Sequence, residues 1–327
     1  MSLPSWASVL ISLGAVTVAV AIVDFLYSKW NRVPFRPAGK HCFITGGSTG
    51  LGKALAIELV KAGADVTIVA RRVTELEAAF EEIKANCTNE NQKVVYVSAD
   101  VTVQEDVVRA FNEATIKMGR DPEFVCACAG ASYPRYFLDE TMENFENLIK
   151  LNYLGQAYVA HQAAQRMRDQ KIKDGKIVFV SSMLGLFSFV GYANYSPTKF
   201  AVRALADALR NELKRYQIGV HIFYPGNIQS PGFDTENLTK PEVTKEIEGV
   251  NVAQPANECA QSLLKGLYSG EYMITVDWLA YLLRCSARGV NPTNNLVLDF
   301  LTALVAQPAG SAFALYMDWV VAHGKYD

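Results

Sequence analysis

The stretch Thr45-Gly46-Gly47-Ser48-Thr49-Gly50-Leu51-Gly52 constrains the fold of this 327-residue chain more than any other segment, because of what flanks it. An apolar run ends at Phe43-Ile44 before it, and a helical pattern runs from Ala54 to Val60 after it. A strand, a tight glycine turn and a helix N-terminus, in that order, are the parts of a cradle for a dinucleotide pyrophosphate. Glycine lets the backbone approach the phosphates, and unpaired N–H groups of the first helical turn point at them. The spacing here is Gly-x-x-x-Gly-x-Gly rather than the commoner Gly-x-Gly-x-x-Gly. Alone, such a loop is equally consistent with a plain turn.

Apolar runs and helical patterns alternate through the rest of the chain. Strands are predicted at His41 to Thr45, Asp65 to Ala70, Val94 to Ser98, Phe124 to Ala127, Lys176 to Ser181, Val220 to Tyr224 and a short Tyr272 to Thr275. Helices fill the gaps, notably Val73 to Lys84, Val103 to Met118, Phe145 to Gln170 and Ser196 to Tyr216. This alternation implies an α/β fold, a Rossmann-type doubly wound parallel sheet in a single domain, with ligands bound beyond the C-terminal strand ends. Half of the residues are hydrophobic, enough for a sizeable core, and a net charge of −2 without a basic block argues against nucleic acid as a partner. The six cysteines show no zinc spacing and the four histidines are scattered, so no metal site is expected. Cys126 and Cys128 alternate on a strand and face one side as small core residues.

In Tyr195-Ser196-Pro197-Thr198-Lys199, helical spacing sets a phenol beside an ammonium. At about 4 Å and an effective dielectric of about 20 their attraction is roughly 4 kcal/mol, or about three pKa units, enough to bring the phenol from about 10 towards neutrality. The pair then serves as a general acid or base. Taken by itself, Tyr-x-x-x-Lys is also an ordinary solvated surface pair.

The glycine loop and the Tyr/Lys pair together resemble the short-chain dehydrogenase/reductase family over about residues 38 to 275. Carried over position by position, the resemblance implies a catalytic tetrad. Ser182, thirteen residues before Tyr195, matches the catalytic serine, and Asn152 in Leu151-Asn152-Tyr153 matches the asparagine that completes the set with Tyr195 and Lys199. It also implies cofactor contacts from Gly46, Ser48, Thr49, Gly50, Leu51 and Gly52 in the loop, from Asp100 and Val101 near the adenine, and from Tyr195 and Lys199. Pro225, Gly226, Ile228 and Ser230 would contact the nicotinamide side. Arg71 and Arg72 stand where an NAD-preferring enzyme has an acidic residue. Guanidinium suits a ribose 2′-phosphate, so the expected cofactor is NADPH; a helix-start arginine pair facing water is the plain alternative. The chain departs from the family in having Ala127-Cys128-Ala129-Gly130 where Asn-Asn-Ala-Gly is usual, which puts the tethering of neighbouring strands in doubt. The family often pairs through the helices near Phe145 to Gln170 and Ser196 to Tyr216, which implies a homo-oligomer.

No charged residue occurs from Ser2 to Val23, and Val9 to Val23 is about the length needed to cross a bilayer. Residues 1–30 are therefore expected to form a transmembrane anchor, with Trp6, Tyr27 and Trp30 near its ends and Asp24 at its edge. No Lys or Arg precedes the apolar run, which fits a cleaved signal peptide poorly. Lys29, Arg32, Arg36 and Lys40 follow it, placing residues 38–275 in the cytosol. Asn86, Asn194 and Asn237 head glycan acceptor triplets, and a glycan on Asn194 would block Tyr195, which agrees with that side. Free thiols suit the same compartment. Residues 276–327 form a hydrophobic tail with apolar patches at Val276 to Leu283 and Leu296 to Val321, the second broken by Asp299, Pro308, Gly310 and Asp318. That tail would cross the membrane, dip into it or fold over the substrate entrance, or else serve as a soluble oligomerisation element.

The substrate is the least legible part. Met183, Leu184, Leu186, Phe187, Phe189, Val190 and Tyr192 make an apolar border between Ser182 and Tyr195, which with an anchor suggests a lipid. Tyr195 to Arg203, Ser230-Pro231-Gly232-Phe233-Asp234-Thr235-Glu236-Asn237 and Thr239-Lys240-Pro241 resemble the 3-ketodihydrosphingosine reductases of the endoplasmic reticulum membrane. That resemblance implies reduction of 3-ketodihydrosphingosine to dihydrosphingosine, with the catalytic domain facing the cytosol. Reduction of another hydrophobic ketone (steroid, retinoid or long-chain 3-oxoacyl) and a non-catalytic lipid-binding role are the rival readings.

Overall fold

A computed structural model of the protein describes residues 5–31, 34–249 and 253–324. Its elements are, in order, α1 (Ser5–Asn31), β1 (His41–Thr45), α2 (Gly50–Lys61), β2 (Asp65–Ala70), α3 (Val73–Lys84), β3 (Val94–Ser98), α4 (Gln104–Met118) and β4 (Phe124–Ala127). They continue with α5 (Met142–Ile149), α6 (Gly155–Asp169), β5 (Lys176–Val180), α7 (Ser196–Glu212), β6 (Gly219–Tyr224), α8 (Pro231–Thr239) and α9 (Glu242–Glu248). The last are α10 (Ala256–Tyr268), β7 (Met273–Thr275), α11 (Trp278–Ala287) and α12 (Leu296–His323).

The seven strands form one parallel sheet in the order β3-β2-β1-β4-β5-β6-β7. Strand order reverses between β1 and β4, which opens a crevice at their C-terminal ends. Burial on both faces explains the strands' near-continuous apolar runs. Along β1, Phe43 packs to one side with Phe111 of α4, Val159 of α6 and Val202 of α7. Its neighbours Cys42 and Ile44 pack to the other, with Leu55 of α2, Leu76 of α3 and Leu263 of α10. Cys126 lies in this second core and Cys128 packs against it.

Two elements differ from the sequence pattern. The expected helix from Phe145 starts at Met142, capped by the Thr141 hydroxyl, and holds a π-helical turn at Lys150–Leu154 between α5 and α6. One inserted residue shifts the face of everything after it, and 3.6-residue periodicity does not register so small a slip. The expected breaks in the tail do not occur, since α12 is one helix with Pro308 inside it. Asp299, charged and in its first turn, is neutralised by Arg284 of α11 through 2.6 and 3.0 Å bonds, both side chains being buried. The Asn295 side chain caps α12 and Asp277 caps α11.

Among the described residues, two helices are long and apolar enough to cross a membrane, Trp6–Val23 within α1 and Leu296–His323. The first is exposed along its length, and the Thr17 hydroxyl donates to the Leu13 carbonyl within the helix. The second turns Phe300, Leu301, Leu304, Val305 and Trp319 outward while Ala306 and Val320 are buried. The side chains of Asp24, Tyr27, Lys29 and Trp30, and Arg32 altogether, lie outside the described residues.

Candidate active site

Ser182 is the second residue after β5 and caps the turn Met183–Gly185. The Ser181 N–H donates to the Phe223 carbonyl at 2.9 Å and the Met183 N–H to the Pro225 carbonyl at 2.9 Å, which fix the strand end against the turn after β6. The Ser181 hydroxyl donates to the Lys199 carbonyl at 3.0 Å, and Gly185 leaves no room there for a side chain: a Cβ would lie 2.4 Å from Ser181 Oγ. These contacts seat the start of α7 over the strand end. Tyr195 is the residue before that helix, and Pro197 sits in its first turn, where a missing N–H costs nothing.

Tyr195 and Lys199 do share a face, but not as the charge argument expects. Lys199 Nζ lies 5.5 Å from the Tyr195 ring centroid and donates to the Val180 carbonyl at 3.1 Å. Burial pushes the Tyr195 phenol well above its ordinary pKa, the Glu236 charge adds to this, and a hydrogen bond with Ser182 opposes it. Burial likewise lowers the Lys199 ammonium to about 8. The expected drop of the phenol towards neutrality is therefore corrected: desolvation of the phenolate outweighs the nearby cation. At neutral pH the phenol is protonated, the form a proton donor needs.

Asn152 sits in the π-helical turn and is fully buried. Its Oδ1 accepts from the Ala131 N–H at 2.9 Å, and its Nδ2 donates to the Ala131 carbonyl at 2.9 Å and to Thr198 Oγ1 at 3.2 Å. The side chain thus clamps the loop after β4 to α7. Gly130 makes that approach feasible, since a Cβ there would lie 3.0 Å from Asn152 Oδ1 and 3.5 Å from Lys199 Nζ. The unusual Ala127-Cys128-Ala129-Gly130 leaves the strands in register. The Thr45 hydroxyl accepts from the Cys128 and Ala129 N–H groups at 3.1 and 3.3 Å, so a threonine on β1 ties the loop in place.

The glycine loop has the shape of a phosphate cradle. Gly46 and Gly50 have φ of +66° and +51°, and a Cβ on Gly52 would lie 2.2 Å from the Gly46 carbonyl oxygen. Thr49 caps α2 without a side-chain bond, leaving the first-turn N–H groups aimed at the cavity. Gly46, Thr49, Gly50, Leu51 and Gly52 line that cavity together with Ser182, Tyr195, Lys199, Pro225, Gly226, Ile228 and Ser230. The Ser230 hydroxyl caps α8 and donates to the Ile228 carbonyl, so it shapes the turn. Ser48 is buried beside the loop.

Five expected cofactor residues lie outside the cavity wall: Ser48, Arg71, Arg72, Asp100 and Val101. Arg71 Nη1 lies 3.8 Å from Asp100 Oδ2, and Arg72 Nε lies 2.9 Å from Glu75, both guanidinium groups being about two-thirds exposed at 66% and 65%. Asp100 also accepts from the Thr102 N–H and hydroxyl. Val101 is a core residue whose side chain packs on Gly155. A nicotinamide dinucleotide fits this set: crowded glycines and a helix N-terminus at the pyrophosphate, Arg71 and Asp100 at the adenosine end, and Lys199 with Tyr195 deep in the crevice.

Sequence reasoning offered Phe187 as part of the border and the tail as one candidate cover, but not the contribution of α9 to the far wall. The cavity, of about 580 Å³, runs on from Tyr195 between Phe187, Phe233, Ile247, Leu283 and Phe313, so α9, α11 and α12 all contribute to it. One polar cluster interrupts this apolar lining. The Tyr192 hydroxyl lies 2.8 Å from Glu236 Oε1 and 2.5 Å from Glu248 Oε1, with one proton shared between them. Lys240 Nζ lies 3.1 Å from Glu236 Oε1 and 2.8 Å from Glu248 Oε2. The i, i+4 spacing of Glu236 and Lys240 was the available signal, and it reads equally as a surface pair.

The family model for short chain dehydrogenases matches residues 40–241. The chain is 44% identical over 299 residues to a 3-ketodihydrosphingosine reductase of Cryptococcus neoformans, covering 89% of this chain and 88% of that one. It is 33% identical over 304 residues to that of Dictyostelium discoideum, covering 90% of each. Among solved structures, a short-chain dehydrogenase/reductase from Burkholderia phymatum in complex with NAD superposes with a TM-score of 0.68 at 19% identity, over 79% of this chain and 98% of that one. A short-chain type enzyme from Mycobacterium marinum gives 0.63 at 27% identity, over 73% and 94%.

Proposed function

The chain belongs to the short-chain dehydrogenase family, and from that premise we propose that it reduces the C3 ketone of 3-ketodihydrosphingosine to the alcohol of dihydrosphingosine, using NADPH. The observation that carries this reading is the cavity that joins Ser182, Tyr195 and Lys199 to a long apolar wall. When bound, the dinucleotide supplies the hydride. Tyr195, protonated by its surroundings, gives its proton to the carbonyl oxygen. Ser182 donates to the same oxygen, so two donors meet the charge that develops there. Lys199 holds the nicotinamide ribose hydroxyls and passes on the proton that restores Tyr195. Asn152 holds the wall of this relay through Ala131 and Thr198. Arg71 and Arg72, in place of an acidic residue, favour the 2′-phosphate of NADPH.

In this reading residues 1–30 anchor the protein in the endoplasmic reticulum membrane, with residues 38–275 in the cytosol. The basic residues after the first span support that side. Residues 276–327 rest on the membrane surface, their outward apolar face in lipid and their inner face on the cavity. Pairing of two chains through α6 and α7, as the family does, completes the assembly. The deciding experiment is NADPH oxidation by purified protein against lipid ketones. The sphingoid ketone should give the highest kcat/KM, and a clear preference for a steroid, a retinoid or a 3-oxoacyl chain would overturn the assignment. Protease protection in microsomes checks the topology.

A further inference from the structure

The polar cluster opposite Tyr195 holds more acid than base. Glu236 and Glu248 bring two carboxyl groups, their side chains 15% and 14% exposed, and Lys240 one ammonium, 1% exposed, while the Tyr192 hydroxyl has one proton to share between the two acids. A carboxylate in such a wall is stabilised by a cation partner, and the two acids share Lys240. All the bonds to Glu236 fall on Oε1; among the described residues Oε2 accepts none, and Glu236 lines the cavity. The Tyr192 and Tyr195 ring centroids are 6.0 Å apart, and Glu236, Tyr192 and Tyr195 line the same cavity. A second polar group faces the same space. Ser132, 8% exposed, lines the cavity, and its hydroxyl has no partner among the described residues.

We propose that Glu236, held by Tyr192 and Lys240, binds a substrate ammonium on the carbon next to the ketone, making the site selective for long-chain 2-amino-3-ketones over neutral ketones. This rests on the proposed function, and it names what the motif Ser230-Pro231-Gly232-Phe233-Asp234-Thr235-Glu236-Asn237 is for. The head of the substrate carries a C2 ammonium and a C1 hydroxyl beside the C3 ketone. The ammonium completes the charge of the Glu236, Glu248 and Lys240 cluster, and Ser132 is the partner for the hydroxyl. Fixing both groups orients the ketone towards Tyr195 and Ser182, and a neutral ketone of equal length leaves Glu236 unpaired.

The test compares kcat/KM for 3-ketodihydrosphingosine and for its 2-deamino analogue of equal chain length, in the wild type and in Glu236→Gln. The wild type should prefer the amino ketone. Glu236→Gln should lower kcat/KM for the amino ketone by about ten- to a hundredfold, the loss of one charge-assisted bond. The loss on the analogue should be much smaller, so that the ratio collapses, and Glu236→Asp should restore part of it. Equal losses on both ketones would overturn the proposal and make Glu236 a structural residue. If Glu236→Gln does not fold, judged by NADPH binding and thermal unfolding, the wild-type ratio decides, and a ratio near one overturns the proposal. Failure of the wild type on both sphingoid ketones, with turnover of a steroid or retinoid, would instead sink the proposed function.

Discussion

Lys199 gives up its hydration to enter the cavity wall, where the Val180 carbonyl and the face of the Tyr195 ring meet its ammonium. The native group loses its proton above about 8, whereas the unfolded chain keeps it until about 10.4. Between those values the unfolded state binds more protons, so stability rises with pH there and falls as pH drops through the native value. Thermal unfolding of the wild type, measured relative to Lys199→Met, should therefore improve as pH climbs from about 8 to about 10. A flat difference would mean that Lys199 is solvated. At the other end of the crevice, Arg71→Ala should raise KM for NADPH by about tenfold or more, the loss of one or two charge-assisted bonds, and leave KM for NADH nearly unchanged. That Ser182, Tyr195 and Lys199 share one cavity was legible because they stand at fixed spacings around one strand end and one helix start, whereas Asn152 comes from the π-helical turn before α6. The ionisation of Tyr195 was not, because a sequence gives the distance between two residues on a helix and not the water around them.

At the scale of elements, the tail is where sequence and structure part most. Charged Asp299 and the helix breakers Pro308 and Gly310 read as interruptions, yet α12 is continuous. Its start is fixed by tertiary partners invisible in a local window: Arg284, the Tyr281 hydroxyl at 2.7 Å and the Asn294 N–H at 3.0 Å all meet Asp299. Removing Arg284 alone should cost about 3–5 kcal/mol, because Asp299 is left buried and unpaired. Arg284→Met with Asp299→Leu should recover most of that loss, as thermal unfolding in detergent will show. Gly310 lines the cavity, and a Cβ there meets nothing within 4 Å. Gly310→Phe should thus project into the apolar wall, raising KM for long-chain ketones far more than for short-chain ones. Equal effects on both chain lengths would place the lipid elsewhere.

The whole molecule couples a doubly wound nucleotide fold to two long apolar helices. The doubly wound sheet was legible from alternation alone, since strands buried on both faces must be apolar throughout and crossover helices apolar on one face. The depth of the cavity was not, because its far wall is assembled from α8, α9, α11 and α12, which are distant from the tetrad in sequence. That wall is also what separates a lipid reductase from the many other enzymes that share this sheet. All of it depends on one proton leaving Tyr195. The most direct measurement is turnover of 3-ketodihydrosphingosine by Tyr195→Phe, alongside the dissociation constant for NADPH. Turnover should fall by about a hundred- to ten-thousandfold with NADPH bound as tightly as before, and a variant that keeps substantial activity would contradict the account.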